Sequence, residues 1–337
     1  MKPTILITGG AGYIGSHTAY CMVQQGYNVI ILDTLVHGQQ WLHPWACCIV
    51  ADFADAQVLD TIFQEHNVQA VMHFAAYAQV GQSVKEPLMY YDNNVSKTVT
   101  LLQKMREHGV KKIIFSSSCA VYGIPQTLPL TEDHPCNPIN PYGATKHMIE
   151  RVLEDCSSAY DLQYVSLRYF NAAGGLPELG LSEQHEPETH LIPLLFQAAT
   201  TNTPFTLFGV DHDTFDGSCI RDFLHVVDIA QAHSLALTHL NNGLPSDIFN
   251  LGTGTGFSVK QVIAAAEQIC KTTIQVIYSA KRAGDPTVLV ANASRAHDML
   301  GWNPTCSSLE FILQSAYFPV VQPIYGSGEH LSAYRIG

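Results

Sequence analysis

Three glycines at intervals of three residues near the amino terminus constrain the fold of this chain most strongly. They are Gly9, Gly12 and Gly15. An apolar run, Thr4 to Thr8, precedes them, and a helical stretch follows. Glycine permits a tight turn and lets the backbone approach a phosphate closely, and a helix amino terminus offers unpaired N–H groups to an anion. The pattern therefore predicts a phosphate-binding turn between a strand and a helix.

An acidic residue at the end of the next apolar run indicates which phosphate compound is bound. Asp33 lies 18 residues after Gly15. A carboxylate in this place accepts hydrogen bonds from both ribose hydroxyls of an adenosine and repels a 2′-phosphate. No Arg follows it directly, so the sequence favours NAD over NADP. A second glycine run, Gly252 to Gly256, also joins a strand to a helix, but no acidic residue follows in the corresponding place, and we interpret it as structural.

Apolar runs and amphipathic stretches alternate through the first half of the chain, which is typical of parallel β-α-β units. The predicted strands are Thr4 to Thr8, Asn28 to Leu32, Cys47 to Val50, Ala70 to Phe74, Lys112 to Ser116 and Gln163 to Arg168. The predicted helices are Gly15 to Gln25, Gln57 to Glu65, Asn94 to His108 and Tyr142 to Ala159, then 191–200, 226–240, 258–270 and 307–316. The fold class is therefore α/β, with a doubly wound parallel sheet (Rossmann).

The pattern loosens after about residue 170, where Pro and Gly multiply and the loops lengthen. We expect an NAD-binding domain at 1–170, with a returning segment near 222–250. A smaller mixed α/β domain that binds the substrate is expected mainly at 171–337.

Composition excludes several classes of protein. Acidic residues outnumber basic ones 29 to 17, which opposes general binding to nucleic acid or to an anionic membrane. No apolar run reaches the roughly 18 residues of a membrane span, and the amino terminus does not read as a signal peptide. The nine cysteines include no CxxC pair, so we expect free buried thiols, with Cys47 and Cys48 as a buried strand pair, in the reducing cytoplasm.

Metal binding is not expected from these motifs. The 16 histidines include no HExxH sequence, and no pair has the spacing and cysteine neighbours of a zinc site. The run Asp211 to Gly217 only partly resembles a calcium loop, because Phe215 stands at a ligand position and the glycine is displaced.

A serine, a tyrosine and a lysine form a candidate proton-transfer set. Tyr142 and Lys146 are four residues apart at the start of a helix, so both point to one side. Ser118 is the third residue of a serine triplet at the carboxyl end of the fifth strand, where doubly wound sheets place their ligands. A nearby ammonium lowers the pKa of a phenol, so we expect Lys146 to make Tyr142 a base near neutral pH.

Several longer stretches extend this pattern in order along the chain. They are TGGAGYIGSHT at 8–18, YYDNNV at 90–95, FSSS at 115–118, VYG at 121–123, NPYGATK at 140–146, RYFNAAG at 168–174, HLIP at 190–193, DGSCIRDFLHVVDIA at 216–230, FNLGTG at 249–254 and RAGDP at 282–286. With these motifs, roughly residues 4 to 310 resemble the extended short-chain dehydrogenase/reductase family, most closely its branch of sugar-nucleotide 4-epimerases. The resemblance implies NAD-dependent interconversion of UDP-galactose and UDP-glucose by transient oxidation at carbon 4 of the sugar, in galactose metabolism, by a homodimer.

The resemblance also implies a role for each matching position. Tyr142 takes the proton of the sugar 4-hydroxyl, Ser118 hydrogen-bonds the same oxygen, and Lys146 holds the nicotinamide ribose. The implied NAD contacts are Gly9, Gly12, Tyr13, Ile14, Gly15, Asp33, Asp52, Phe74, Ala75, Ala76, Asn93, Ser116, Tyr142, Lys146 and Tyr169. The implied UDP-sugar contacts are Ser118, Tyr142, Asn171, His190, Leu191, Arg221, Arg282 and Asp285.

The chain departs from the family pattern at several places. Ala78 replaces a lysine that contacts the cofactor pyrophosphate in many relatives. The span from Asp33 to Asp52 is short, and the last 25 residues do not match the usual ending. Leu289 stands at the position that gates pocket size, which leaves open whether an N-acetyl group is accepted.

Other activities remain open at this stage. Epimerases of UDP-N-acetylhexosamines, UDP-pentoses or UDP-uronates share these motifs. A 4,6-dehydratase is disfavoured, because Cys119 and Ala120 stand where that branch has an acidic pair. A non-catalytic nucleotide sensor is disfavoured because the Tyr-Lys pair is present.

Overall fold

A computed structural model describes residues 2–36, 46–185, 187–282 and 284–321. Half of the short segment between Asp33 and Asp52 (37–45), and most of the divergent carboxyl-terminal stretch (322–337), lie outside the described residues. Within the described ranges, no helix combines the length and the apolarity that crossing a membrane requires.

The chain alternates strands and helices through its first half, as the sequence predicts. The strands are β1 (Thr4–Thr8), β2 (Asn28–Asp33), β3 (Cys47–Val50), β4 (Val68–His73), β5 (Lys112–Ser118), β6 (Gln163–Tyr169), β7 (Asn171–Ala173), β8 (Phe205–Phe208), β9 (Ile220–His225), β10 (Asp247–Leu251), β11 (Gly256–Ser258), β12 (Val276–Ser279) and β13 (Val288–Leu289). The helices are α1 (Tyr13–Gln24), α2 (Ala56–Glu65), α3 (Val80–Lys85), α4 (Pro87–Tyr90), α5 (Lys97–Glu107), α6 (Pro141–Tyr160), α7 (Leu191–Thr201), α8 (Val226–Asn241), α9 (Val259–Cys270), α10 (Ser294–Leu300) and α11 (Leu309–Val321). The helix predicted from Asn94 begins instead as a π-helical turn, Tyr91–Ser96, which leads into α5.

Seven strands form one parallel sheet in the order β3-β2-β1-β4-β5-β6-β10. The chain moves outward from β1 in one direction to β3, then crosses back to β4 and continues in the other direction. This reversal leaves a crevice at the carboxyl ends of β1 and β4, where doubly wound sheets bind their ligands. The predicted fold class is confirmed.

Both faces of this sheet are buried, which explains the continuous apolar runs of its strands. Ile5 and Ile7 of β1 pack in one hydrophobic cluster, with residues of α1 and α8. Leu6, between them, packs in a second cluster with residues of α2, α5 and α6. Side chains alternate between the faces of a strand, so each strand contributes to two cores.

The remaining elements pack around a third core. In it, residues of α7, α9 and α11 surround Phe223 of β9 and Phe205 of β8. β9 pairs with β11, β13 and β7, and β8 pairs with β12. In contrast, α8 and β10 belong to the layers of the large sheet. The division into two domains stays a prediction.

The nine cysteines are all free, which confirms that part of the prediction. The prediction that they are buried is wrong for most of them. Only Cys21 and Cys219 are buried, and Cys47 is exposed. The interpretation of Cys47 and Cys48 as a buried pair was wrong because β3 is the edge strand of the sheet. An apolar run of four residues does not reveal the place of its strand in the sheet order.

A buried ion pair joins α6 to the sheet beside the candidate site. Arg168 of β6 donates through Nε and Nη2 to the two carboxylate oxygens of Glu150, at 2.8 and 2.7 Å. Ser117 of β5 donates to the same carboxylate at 2.6 Å. Burial favours the neutral acid, but Arg168 holds the pKa of Glu150 below its ordinary value. Two strands and a helix are thereby held in one register.

We expect Arg168→Met to lower the free energy of unfolding by about 3–5 kcal/mol, because it leaves the Glu150 carboxylate buried without its cation. Urea denaturation followed by circular dichroism measures the change. The control is Arg151→Met, on the same helix, where the guanidinium is 67% exposed and pairs with exposed acids. That control should shift the midpoint little. Equal midpoints for the two variants would contradict a stabilising role for the buried pair.

Candidate active site

The glycine turn has the conformation that a phosphate requires. Gly9 has a φ of +72°, and a Cβ there would lie 2.5 Å from the backbone nitrogen of Ala75. A Cβ on Gly15 would lie 2.2 Å from the Gly9 carbonyl oxygen. Gly12 is the N-cap residue of α1 and offers no side-chain acceptor to the first turn of the helix. The close backbone packing and the uncapped helix terminus fit a dinucleotide pyrophosphate.

The two other predicted contacts in this turn point toward the core and the second sheet. Tyr13 donates from its hydroxyl to the carbonyl of Gly174, just after β7, at 2.7 Å. Ile14 packs against the first hydrophobic cluster. The turn is therefore tied to the elements that carry the predicted UDP contacts.

Two predicted acidic residues follow neighbouring strands at the edge of the crevice. Asp33, at the end of β2, accepts from the backbone nitrogens of Ala11 and Leu35 at 3.0 and 2.9 Å. Its carboxylate thus lies directly beside the glycine turn, where a ribose would meet it. Asp52, after β3, forms an ion pair of 2.6 Å with Lys97 at the start of α5.

The end of β4 forms the opposite wall of the crevice. The backbone nitrogens of Phe74 and Ala75 both donate to the carbonyl of Thr8, at 2.9 and 3.1 Å, and Ala76 continues the same loop. The side chain of Asn93 bonds to its neighbour Asn94 at 3.1 Å. These predicted contacts lie at the topological reversal.

Helix α6 brings the predicted catalytic residues together. Asn140 caps the helix by accepting from the Gly143 nitrogen at 2.8 Å, and Pro141 occupies its first position. A Cβ on Gly143 would lie 2.4 Å from the Ala120 carbonyl oxygen, so only glycine allows the helix to approach the turn after β5. Tyr142 is thereby placed against Ser118. Burial raises the pKa of the phenol, and the Ser118 hydroxyl opposes that rise.

Lys146 lies one turn farther along α6 and is buried. Its Nζ donates to the carbonyl of Ser116 at 2.6 Å and lies 5.8 Å from the centre of the Tyr142 ring. The hydroxyls of Ser116 and Tyr169 hydrogen-bond each other beside it. Lysine, tyrosines and serines therefore converge at the carboxyl end of β5.

The expected effect of Lys146 on Tyr142 is not met in the protein without cofactor. Burial raises the pKa of Tyr142 to about 12, although Ser118 opposes the rise. Burial also lowers the pKa of Lys146 to about 7, opposed by Glu150. Desolvation disfavours both charged forms, and Nζ bonds to a carbonyl in place of the phenol oxygen. The role of Tyr142 as a base beside bound NAD stays a prediction.

The predicted UDP contacts fall into two groups. In the first, Arg221 of β9 forms an ion pair with Asp285. The guanidinium of Arg282 lies 4.2 Å from the ring centre of Phe208 at the end of β8. Leu289 of β13, at the expected gate, is the parallel partner of Arg221. Phe208 was missed because a lone aromatic residue in a short strand carries no distinctive signal.

The second group surrounds the start of α7. Asn171 begins β7, and His190 and Leu191 are the N-cap and the first residue of α7. His190 Nδ1 lies 3.0 Å from carboxylate oxygens of both Glu183 and Glu188. Burial favours the neutral imidazole, but the two carboxylates raise the pKa of His190 to about 10.

The backbone N–H groups of the second glycine run, Gly252 to Gly256, bind a side chain of the protein, that of Asp222. The buried carboxylate of Asp222 accepts from the backbone nitrogens of Thr253 and Gly254 at 2.9 and 3.1 Å. It also accepts from the Ala291 nitrogen at 3.2 Å. These contacts agree with the structural interpretation of Gly252 to Gly256.

We expect Gly15→Ala to lower the NAD bound per purified chain about tenfold or more, because the new methyl group collides with the Gly9 backbone and overpacking costs about 1–3 kcal/mol. Absorbance of NAD released by denaturation measures the content. Gly81→Ala is the control, since a Cβ there meets nothing within 4 Å. Unchanged NAD in a folded Gly15→Ala protein would contradict the assignment.

Lys146 should also make stability depend on pH in protein freed of NAD. Its pKa falls from 10.5 to about 7 on folding, so between these values the unfolded chain binds a proton that the folded chain lacks. Stability from this group therefore rises with pH across that window. We expect the Tm of Lys146→Met, relative to the parent, to be more positive at pH 6.5 than at pH 9.5. Lys111→Met, 61% exposed, is the control; equal differences for both would contradict the buried charge.

Comparisons with known proteins agree with this geometry. Residues 5–252 match the model of the NAD dependent epimerase/dehydratase family. A UDP-glucose 4-epimerase of Halalkalibacterium halodurans is 49% identical over 93% of this chain and 94% of its own length.

Solved structures show the same fold. A UDP-glucose 4-epimerase from Brucella ovis in complex with NAD superimposes with a TM-score of 0.91 at 42% identity, over 94% of this chain and 97% of that one. A UDP-Glc/GlcNAc 4-epimerase from Campylobacter jejuni gives 0.82 at 40% identity, over 94% and 98%. The motifs, the fold and these similarities together show that the chain belongs to the NAD-dependent epimerase/dehydratase family.

Proposed function

We propose that this protein is an isomerase that interconverts UDP-galactose and UDP-glucose, with NAD as a retained cofactor. The observation that carries the proposal is the convergence of Ser118, Tyr142 and Lys146 at the end of β5, beside the dinucleotide turn. The family membership and the names of the relatives support the same reaction. Bound NAD supplies the acceptor and later the donor of the hydride at carbon 4, and a positive charge that favours the phenolate.

Tyr142 is the residue that exchanges the proton of the sugar 4-hydroxyl. Its high pKa without cofactor keeps the phenol protonated until positive charge enters the site. Ser118 shares the reacting oxygen by a hydrogen bond and holds it against the phenol. Because the same phenol can accept and return a proton, it serves both halves of an epimerisation.

Lys146 holds the cofactor next to Tyr142 in this proposal. Its Nζ donates to the Ser116 carbonyl, and Glu150 lies farther along the same helix face. A ribose hydroxyl in the crevice gains a hydrogen-bond donor from Nζ. The side chain therefore connects the cofactor to the residue that moves the proton.

Two arginines and the amino terminus of α7 supply the proposed diphosphate site. Arg221 of β9 pairs with Asp285, Arg282 precedes that aspartate by three residues, and His190 is the N-cap of α7. A guanidinium offers a fork of donors to phosphate oxygens, and a helix amino terminus favours an anion. Phe208, under Arg282, offers a flat apolar surface to a base.

We expect Tyr142→Phe to lower turnover of UDP-galactose about 10²–10⁴-fold, since it removes the proton acceptor while keeping the ring. Ser118→Ala should also depress turnover. Chromatographic separation of UDP-galactose and UDP-glucose measures the rate. Tyr160→Phe, at the exposed end of the same helix, is the control and should retain parental turnover. Near-parental rates in both site variants would defeat the assignment.

A second assay determines which UDP-sugars the enzyme accepts as substrates. Leu289 is intermediate in size and half-buried, and a relative accepts both UDP-Glc and UDP-GlcNAc by its name. UDP-galactose and UDP-N-acetylgalactosamine are supplied separately without added NAD. Conversion of the first alone supports the hexose epimerase, and conversion of both supports a wider pocket. Conversion of neither, even with NAD, would overturn the proposal.

We further propose a homodimer and a cytoplasmic location. Exposed apolar side chains on α3, α4 and α6, namely Val84, Leu88 and Met148, support an interface between copies. Light scattering after gel filtration tests the dimer.

Nine free cysteines support a reducing compartment. The two-domain division at about residue 170 is part of the same proposal.

A further inference from the structure

Four metal-ligating side chains lie together in the loop before α7. Glu183, His185, Glu188 and His190 each offer one ligand atom, and these atoms lie within 4.8 Å of one another. All four side chains are at least half-buried, and the two carboxylates are only 8% and 14% exposed. We propose that these four residues bind a Zn²⁺ ion. The sequence motifs did not predict this site.

The spacing of the ligand atoms fits one tetrahedral ion. His190 Nδ1 lies 3.0 Å from Glu183 and 3.0 Å from Glu188, and His185 Nδ1 lies 3.8 and 3.6 Å from the same two residues. Zinc bonds to nitrogen and oxygen are about 2.0–2.2 Å, so the edges of a zinc tetrahedron are roughly 3.3–3.5 Å. The two His190 distances are shorter than this edge length, and the two His185 distances are longer.

One imidazole nitrogen of the cluster lacks a hydrogen-bond partner, whereas Glu188 Oε1 already accepts from the backbone nitrogens of Thr189 and His190 at 2.7 and 2.8 Å. His185 Nδ1 is buried and makes no hydrogen bond to the described residues. One His190 nitrogen faces two carboxylates, so a single proton serves both. A divalent cation bonded to two neutral imidazoles would balance both carboxylates and give His185 Nδ1 a partner.

One of the four proposed ligands borders a cavity. Glu183 lines a cavity of about 250 Å³ together with Gln184 and residues of α7, including Pro193. The cavity lies at the loop that carries all four ligands.

Two other groups of possible ligands in the described residues are less suitable. In the first, Glu150 already binds the guanidinium of Arg168 beside Cys136 and His147. In the second, Asp285 already pairs with Arg221. An arginine on the carboxylate opposes a second cation, so only the loop before α7 combines two histidines with two carboxylates that lack a Lys or Arg partner.

Zinc here would also fix the orientation of His190. With Nδ1 on the ion, the remaining nitrogen, Nε2, must carry the proton and can donate it. This consequence rests on the proposed function, in which His190 contacts the UDP diphosphate. The metal site itself does not depend on the reaction.

The test is the zinc content of untagged full-length protein that has been stripped with a chelator, incubated with ZnCl₂ and desalted. Inductively coupled plasma mass spectrometry gives zinc per chain. We expect one ion in the parent and at least a tenfold loss in His185→Ala and in the isosteric Glu183→Gln. His147→Ala, in an alternative group, is the control and should retain the ion.

Several outcomes would overturn the proposal. They are a parent chain without zinc, retention of zinc in both loop variants, or an equal loss in His147→Ala. Circular dichroism identifies a variant that fails to fold. If His185→Ala fails to fold, the zinc content of Glu183→Gln decides the test. Tyr142→Phe should lose turnover yet retain zinc, which separates failure of the metal site from failure of the proposed function.

Discussion

Close contact between backbone segments, possible only at glycine, is the constraint on which the site depends. Gly9 packs on the end of β4, Gly15 packs on Gly9, and Gly143 packs on the turn after β5. The first two contacts form the dinucleotide turn. The third brings Tyr142 to Ser118. A methyl group at any of these positions would separate elements that the chemistry needs within hydrogen-bonding distance.

Burial then determines the electrostatics of the assembled site. Desolvation favours a neutral Lys146 and a protonated Tyr142, whereas the Glu150–Arg168 pair stays charged because its partners are in direct contact. Without cofactor, the part of the site that contains Tyr142 and Lys146 therefore disfavours charge. A cationic cofactor in the crevice has a large effect on a phenol in such surroundings.

Local sequence predicted most of the fold, and the site residues it named stay a prediction. The glycine turn, Asp33 and the six strands of the first half follow from spacing and apolar runs, because those features are set by residues near one another in the chain. The exposure of Cys47 did not follow, since it depends on the place of β3 at the sheet edge. The contacts of Asp222 with the second glycine run join residues about thirty positions apart, and no local pattern shows them.

The sequence by itself determined the parallel sheet, the dinucleotide turn and the residue types available for proton transfer, because periodicity and glycine spacing are local properties. The tertiary structure alone decided which charges are buried and what they face. Burial raises the pKa of Tyr142, which the sequence alone suggested would be lowered, and lowers that of Lys146. Glu183 and His185 lie close to Glu188 and His190. The reason is physical: desolvation and ligand geometry depend on three-dimensional packing, which spacing along the chain does not specify.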